Sequence, residues 1–213
     1  MRLTSYAGRL FTAGAVSVAL LAGSGSGSGG AVAAAPARPS AGASADASAG
    51  SYARLHTLAD LAARRLATAD LVAAAKYGTG SPIDDPAREK QVLDDVARQA
   101  REVGADPEAT VRIFRDQIEA NKVVQRELHR RWDAHPSQAP GPGERPDLGE
   151  VREEINRVNR LLVRGIAESP GARAAASCRG VLAVAGVRVR GERRLDVLHT
   201  VGLGRALASV CAA

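Results

Sequence analysis

From residue 51 onward the apolar residues of this chain recur every three or four positions, in runs broken only by stretches rich in proline and glycine. That period is one face of an α-helix. A short Val187-Arg-Val189-Arg alternation has the period of a strand, but a single strand has nothing to pair with. Aromatic residues make up only 3% of the chain against 45% apolar residues in all. Alanine, leucine and valine must therefore build the core, and small side chains suit helices that approach closely. The expected architecture is all-α: a single-domain bundle of about five to six helices over residues 51–213.

The breaks between runs carry local signals. A first helix is predicted over about 52–77, ended by Gly78-Thr79-Gly80-Ser81-Pro82. Asp85-Pro86 starts a second, with aspartate as the cap and proline in the first helical position, and Gly104 stops it. Asp106-Pro107 repeats the start signal for a third helix, which runs to about residue 134. After a Pro/Gly-rich connection over 135–146, Asp147 with Glu150 forms a capping box for a fourth helix to about residue 168, ended by Ser169-Pro170-Gly171. One or two weaker helices are expected beyond it, because Gly186, Gly191, Gly202 and Gly204 lower helix propensity.

The N-terminus sets the compartment. Residues 1–9 carry Arg2 and Arg9 and no acid, residues 10–23 are almost wholly apolar, and small residues follow, including Ala31-Val32-Ala33. This order reads as a secretory signal peptide over residues 1–35, since the apolar run is too short for a membrane span. The expected location is therefore secreted or periplasmic, with no membrane association once the signal is cleaved. Residues 36–50, made mainly of Ala, Ser, Gly and Pro, read as a disordered linker. Two cysteines, Cys178 and Cys211, lie in the exported part without a metal-type spacing. In an oxidising compartment they are expected to pair, stabilising the C-terminal segment by roughly 3–4 kcal/mol on the chain-entropy model; two buried free thiols are the alternative.

The net charge is +6. Two of the 29 basic residues and none of the 23 acids leave with the signal, so the remainder carries +4. This attracts anions in general. No run of five like charges appears, and one Trp, three Tyr and two Phe give bases little to stack on, so nucleic acid is not an expected partner.

Polar residues on the apolar stripes are more informative. In the first helix Arg65 and Lys76 share the stripe of Leu58, Leu61 and Val72, eleven residues and about three turns apart. In the third, Val111, Phe114, Ile118, Asn121, Gln125 and Leu128 step by three and four, which puts Asn121 and Gln125 where a core wants leucine. The fourth places Arg152 in line with Leu148, Ile155 and Leu162, and Arg88 and Glu89 lie on the first turn of the second. Burying such groups unpaired costs several kcal/mol each, and acids on these stripes are few. An anionic ligand is the simplest partner. Snorkelling of each arginine taken alone, and simple capping by Asp85, are the plain alternatives.

Other chemistries lack residues. His56, His129, His135 and His199 form no metal spacing, there is neither a nucleophile elbow after residue 35 nor a P-loop, and Gly202-Leu-Gly204 lacks the third glycine of a dinucleotide site. No metal and no cofactor is expected.

Taken together, Arg65-Leu66 through Ala73-Ala74-Ala75-Lys76, Pro82-Ile83-Asp84-Asp85-Pro86-Ala87-Arg88-Glu89, and Phe114-Arg-Asp-Gln-Ile118 with Asn121 and Gln125 resemble the all-helical, type II chorismate mutases. The exported members look most similar, with a signal peptide, an arginine on the fourth helix after a Pro-rich connection (here Arg152) and a C-terminal disulfide (here Cys178 and Cys211). The resemblance covers about residues 55–162 well. It implies a cofactor-free rearrangement of chorismate to prephenate, an isomerase reaction without covalent intermediate, in a homodimer with each site built within one chain. It also implies roles. Arg65 and Arg152 would bind the two substrate carboxylates, and Lys76 and Gln125 would donate to the ether oxygen. Arg88 and Asn121 would assist at a carboxylate, Glu89 would accept from the ring hydroxyl, and Asp85 would hold the loop. Asn121 stands where the family usually has Ser or Thr, and Val92 where some exported members are polar. Rival readings on the same residues are an isochorismate pyruvate-lyase-like enzyme, a non-catalytic chorismate-binding helical protein, and an exported helical adaptor.

Overall fold

The computed structural model describes residues 41–211, and these form seven α-helices and two short 3-10 turns. The expected signal peptide lies outside the described residues. The helices are α1 (Ala41–Lys76), α2 (Pro86–Glu102), α3 (Pro107–Ala134), α4 (Leu148–Ala167), α5 (Pro170–Ala174), α6 (Cys178–Glu192) and α7 (Val197–Ala206).

Local chemistry accounts for the starts. Asp85 accepts the backbone N–H of Arg88, Asp106 those of Glu108 and Ala109, and Asp147 that of Glu150. After α2, Gly104 takes φ of 75°, as its place after the helix predicts.

Two expectations are corrected. The stretch over 36–50 was expected to be a disordered linker, yet α1 already begins at Ala41. Residues 41–50 are half alanine, with serine, Asp46, Gly42 and Gly50 but no proline, and alanine has the highest helix propensity, so the helix extends past its packed part. Asp46, Ala49 and Gly50 are exposed there, consistent with an end that propensity rather than burial supports. The second correction is the helix count, seven in place of five to six, because the tail holds three helices. Ser169-Pro170, expected to end a helix, also begins α5, with the Ser169 hydroxyl donating to Gly165 O at 2.7 Å. Arg194, at φ 50°, separates α6 from the Asp196 cap of α7.

Helix α1 is the axis of the bundle and packs against α3, α4, α5, α6 and α7. Ala59, Ala62, Ala63, Ala69 and Ala73 are all buried along it, interleaved with Leu55, Leu58 and Leu66. Phe114 and Ile113 of α3 and Val158, Leu162 and Ile166 of α4 complete the centre of the core. Gly202 lets α7 join this core: a Cβ there would meet Leu66 Cδ2 at 3.0 Å and Val124 Cγ2 at 3.3 Å. Its helix-lowering glycine is thus a packing requirement. His199 then ties α7 to α1, with Nε2 3.0 Å from Asp70 Oδ1 and Nδ1 2.8 Å from Asp196 Oδ1. The Asp70 contact, ahead of the cost of burial, raises its pKa to about 9. Cys178 and Cys211 form a disulfide that joins the start of α6 to the end of the described chain.

Candidate active site

Helices α1 to α4 leave between them a pocket with about 680 Å³ of free space, part of it open to solvent. All eight expected substrate-binding residues line it: Arg65, Lys76, Asp85, Arg88, Glu89, Asn121, Gln125 and Arg152. Val72, Val92, Ile118 and Ile155 give it apolar walls. Five cations, counting Lys122, face two carboxylates. Such a surface draws in a small dianion.

Arg65 is the deepest cation, 5% exposed. Its Nε donates to Asn159 Oδ1 at 2.9 Å and one terminal nitrogen donates to Gln117 O at 3.0 Å, while Phe114 lies 5.7 Å beneath the guanidinium. No carboxylate among the described residues pairs with it. Burial lowers its pKa to about 10, so it stays charged at neutral pH. A buried, protonated guanidinium held by neutral acceptors is poised for an anion, which would take its remaining N–H donors in a bidentate pair.

Lys76 ends α1 and donates to Pro82 O at 2.8 Å, which anchors the turn after the helix. Burial pulls its pKa down first, Asp85 pushes it back up, and Arg152 lowers it again. Asn121 makes only long contacts, at 3.4 Å, to Arg65 O and Gln117 O. Gln125 is buried and its Oε1 has no hydrogen-bond partner. An amide with spare capacity on a pocket wall is ready to meet a ligand atom. Arg88 reaches Gln91 at 3.3 Å, and Asp85 serves as the α2 cap. Arg152 lines the pocket but is solvent-exposed, so it guards the mouth rather than facing the interior its stripe suggested.

Three residues at the site escaped the sequence reading. Asn159 and Gln117 orient Arg65, and Gln117 also donates from its side chain to Ala206 O at 2.9 Å, which couples the site to α7. Lys122, 8% exposed, sits beside Asn121 and binds Glu89. None of these contacts follows a stripe, because each partner comes from another helix.

A secreted chorismate mutase of Mycolicibacterium smegmatis is 37% identical over 164 residues, which are 77% of this chain and 90% of that protein. The chain belongs to the chorismate mutase family. Residues 56–126 match the family described as chorismate mutase type II. A secreted chorismate mutase of Mycobacterium tuberculosis is 34% identical over 165 residues, 78% of this chain and 82% of that protein. The crystal structure of chorismate mutase from Burkholderia phymatum is alike at a TM-score of 0.71 and 34% identity, over 76% of this chain and 99% of that one. The type II match takes in α2 and ends one residue after Gln125, so it spans seven of the eight expected site residues and leaves Arg152 outside.

Proposed function

We propose that this chain is a secreted chorismate mutase that converts chorismate to prephenate without a cofactor. The observation that carries the reading is Arg65, a buried cation without a carboxylate partner at the base of a cation-lined pocket. One substrate carboxylate pairs with Arg65, and Arg152 at the mouth takes the other, with Arg88 and Asn121 assisting. Lys76 and Gln125 donate to the ether oxygen, which gains negative charge as its bond to the ring breaks. Glu89 accepts from the ring hydroxyl, and Asp85 holds the loop by capping α2. The rearrangement stays within one molecule, so no group needs to leave and no nucleophile is needed. The residues restrain a compact conformer and meet charge where it develops. Several donors to charged partners, each contributing about 1.5–3 kcal/mol, reach the lower range of enzymatic acceleration, about 8 kcal/mol.

Secretion is supported by the leader over residues 1–35, by the Cys178–Cys211 disulfide and by relatives named as secreted. No helix among the described residues is long and apolar enough to cross a membrane.

Proton NMR of chorismate incubated with the purified chain tests the reaction. Prephenate without pyruvate is the expected product. Pyruvate released from isochorismate with chorismate untouched would replace the mutase by a lyase. Gln125 does not titrate, so the rate is expected to stay nearly flat from mildly acid to mildly alkaline pH. It falls in alkali as Lys76, whose pKa lies below the ordinary lysine value, and Arg65, at about 10, lose their protons. A steep loss just above neutrality would count against Lys76 and Gln125 as the pair of ether donors.

A further inference from the structure

Lys122 is the one pocket cation to which the reading above gives no part. Its Nζ lies 3.1 and 3.3 Å from the two oxygens of Glu89, 3.3 Å from Asp84 Oδ1 and 2.6 Å from Glu119 Oε1. One turn further along α3, Arg126 holds Asp84 at 2.6 Å. Two successive turns of α3 therefore grip the segment 84–89, which carries the cap of α2 and its two charged pocket residues, Arg88 and Glu89. Burial works against the charge on Lys122, but its bonds to Glu119, Glu89 and Asp84 outweigh it and its pKa lies above the ordinary lysine value. The ammonium thus stays charged around neutral pH.

We propose that Lys122 is a positioning residue of this active site: it fixes the Glu89 carboxylate toward the pocket and offsets part of its charge there. The proposal rests on the reading of Glu89 as acceptor for the substrate hydroxyl. Glu89 is an anion on the wall of a pocket meant for a dianion. Left alone, it would repel the ligand it has to bind and would have several rotamers in which to do so. A fixed ammonium on both of its oxygens leaves the remaining lone pairs as directed acceptors and weakens the repulsion. Neutral packing does not call for lysine here, since a methionine would fill the same apolar volume between α2 and α3.

The test is a double-mutant cycle on Lys122→Met and Glu89→Gln, with Lys122→Arg as the conservative variant, read by steady-state kinetics and by calorimetric titration with chorismate. Lys122→Met is expected to lower kcat/KM about tenfold, mainly through KM, and Lys122→Arg to restore most of it. In the Glu89→Gln background Lys122→Met should cost less than about twofold, because its partner is already gone. Losses that multiply, or a Lys122→Met enzyme equal to the wild type, would overturn the proposal. A wild type that binds chorismate without turnover would refute the mutase reading alone, and the same cycle would then be read in dissociation constants. A folded wild type that neither binds nor converts chorismate would refute both.

Discussion

Replacing Lys76 or Gln125 by alanine is expected to lower kcat about 10²–10³-fold each, the usual loss when one donor to a developing oxyanion is removed. KM should move far less, because the ether oxygen carries its charge only in the transition state, and an interaction made only there shows in kcat. Circular dichroism of both variants should match the wild type. Lys76 ends α1 with one bond to Pro82 O, and Gln125 lacks an acceptor-side partner in the free protein, so neither removal orphans a buried group of the fold. A folded Lys76→Ala enzyme with kcat within a few-fold of the wild type would remove Lys76 from the chemistry.

The second large effect concerns stability. Cys178 and Cys211 lie 33 residues apart in sequence, and their bridge closes a loop over α6 and α7. Replacing both by serine is expected to cost roughly 3–4 kcal/mol on the chain-entropy model, a melting temperature lower by on the order of 10 °C for a domain of this size. Besides the bridge, the tail is held by the burial of Leu182, Val189, Leu203, Leu207 and Val210 in the core and by polar contacts such as Arg173 Nε donating to Val210 O at 2.8 Å, Gln117 donating to Ala206 O, and the His199 contacts to Asp70 and Asp196. Neither cysteine lines the substrate pocket, so kcat measured well below the new melting temperature should change little. Differential scanning calorimetry of the reduced and oxidised wild type gives the same comparison without mutation. Equal melting temperatures for the two would show that the tail is held by packing alone.

Most of the catalytic bundle was legible in the sequence because its signals are local. Asp85, Asp106 and Asp147 cap the helices they were expected to start, and Arg65, Lys76, Asn121 and Gln125 gave themselves away as polar residues in apolar series. What was not legible depended on contacts between elements. Gly202 looks like a helix breaker in a string of letters, and only the approach of Leu66 and Val124 shows why a side chain has no room there. Lys122 lies next to the Asn121 position but off the apolar series, and its meaning comes from Asp84, Glu89 and Glu119. Asn159 and Gln117 are likewise ordinary surface-type residues until Arg65 is seen between them. At the other end, the composition of residues 36–50 resembles a tether, yet the alanine-rich part beyond Pro39 is helical from Ala41. Arg152 shows the limit of stripe reasoning. Its spacing matches Leu148 and Ile155, but it lies near the start of α4, where a long side chain reaches the pocket mouth and remains in water.

The most direct test of the account compares the wild type with Arg65→Met by following the ultraviolet loss of chorismate, each protein folded and with its disulfide intact. Methionine keeps the buried stem over Phe114 and removes the charge that lacks a carboxylate partner, together with the bonds to Asn159 Oδ1 and Gln117 O, so circular dichroism of the variant must match the wild type. The account predicts rapid, saturable conversion by the wild type and a loss in kcat/KM of at least about a hundredfold in the variant, the order expected when a buried charge pair to the ligand is forfeited. An Arg65→Met enzyme that turns chorismate over at the wild-type rate, or a folded wild type that leaves chorismate unchanged, would contradict it.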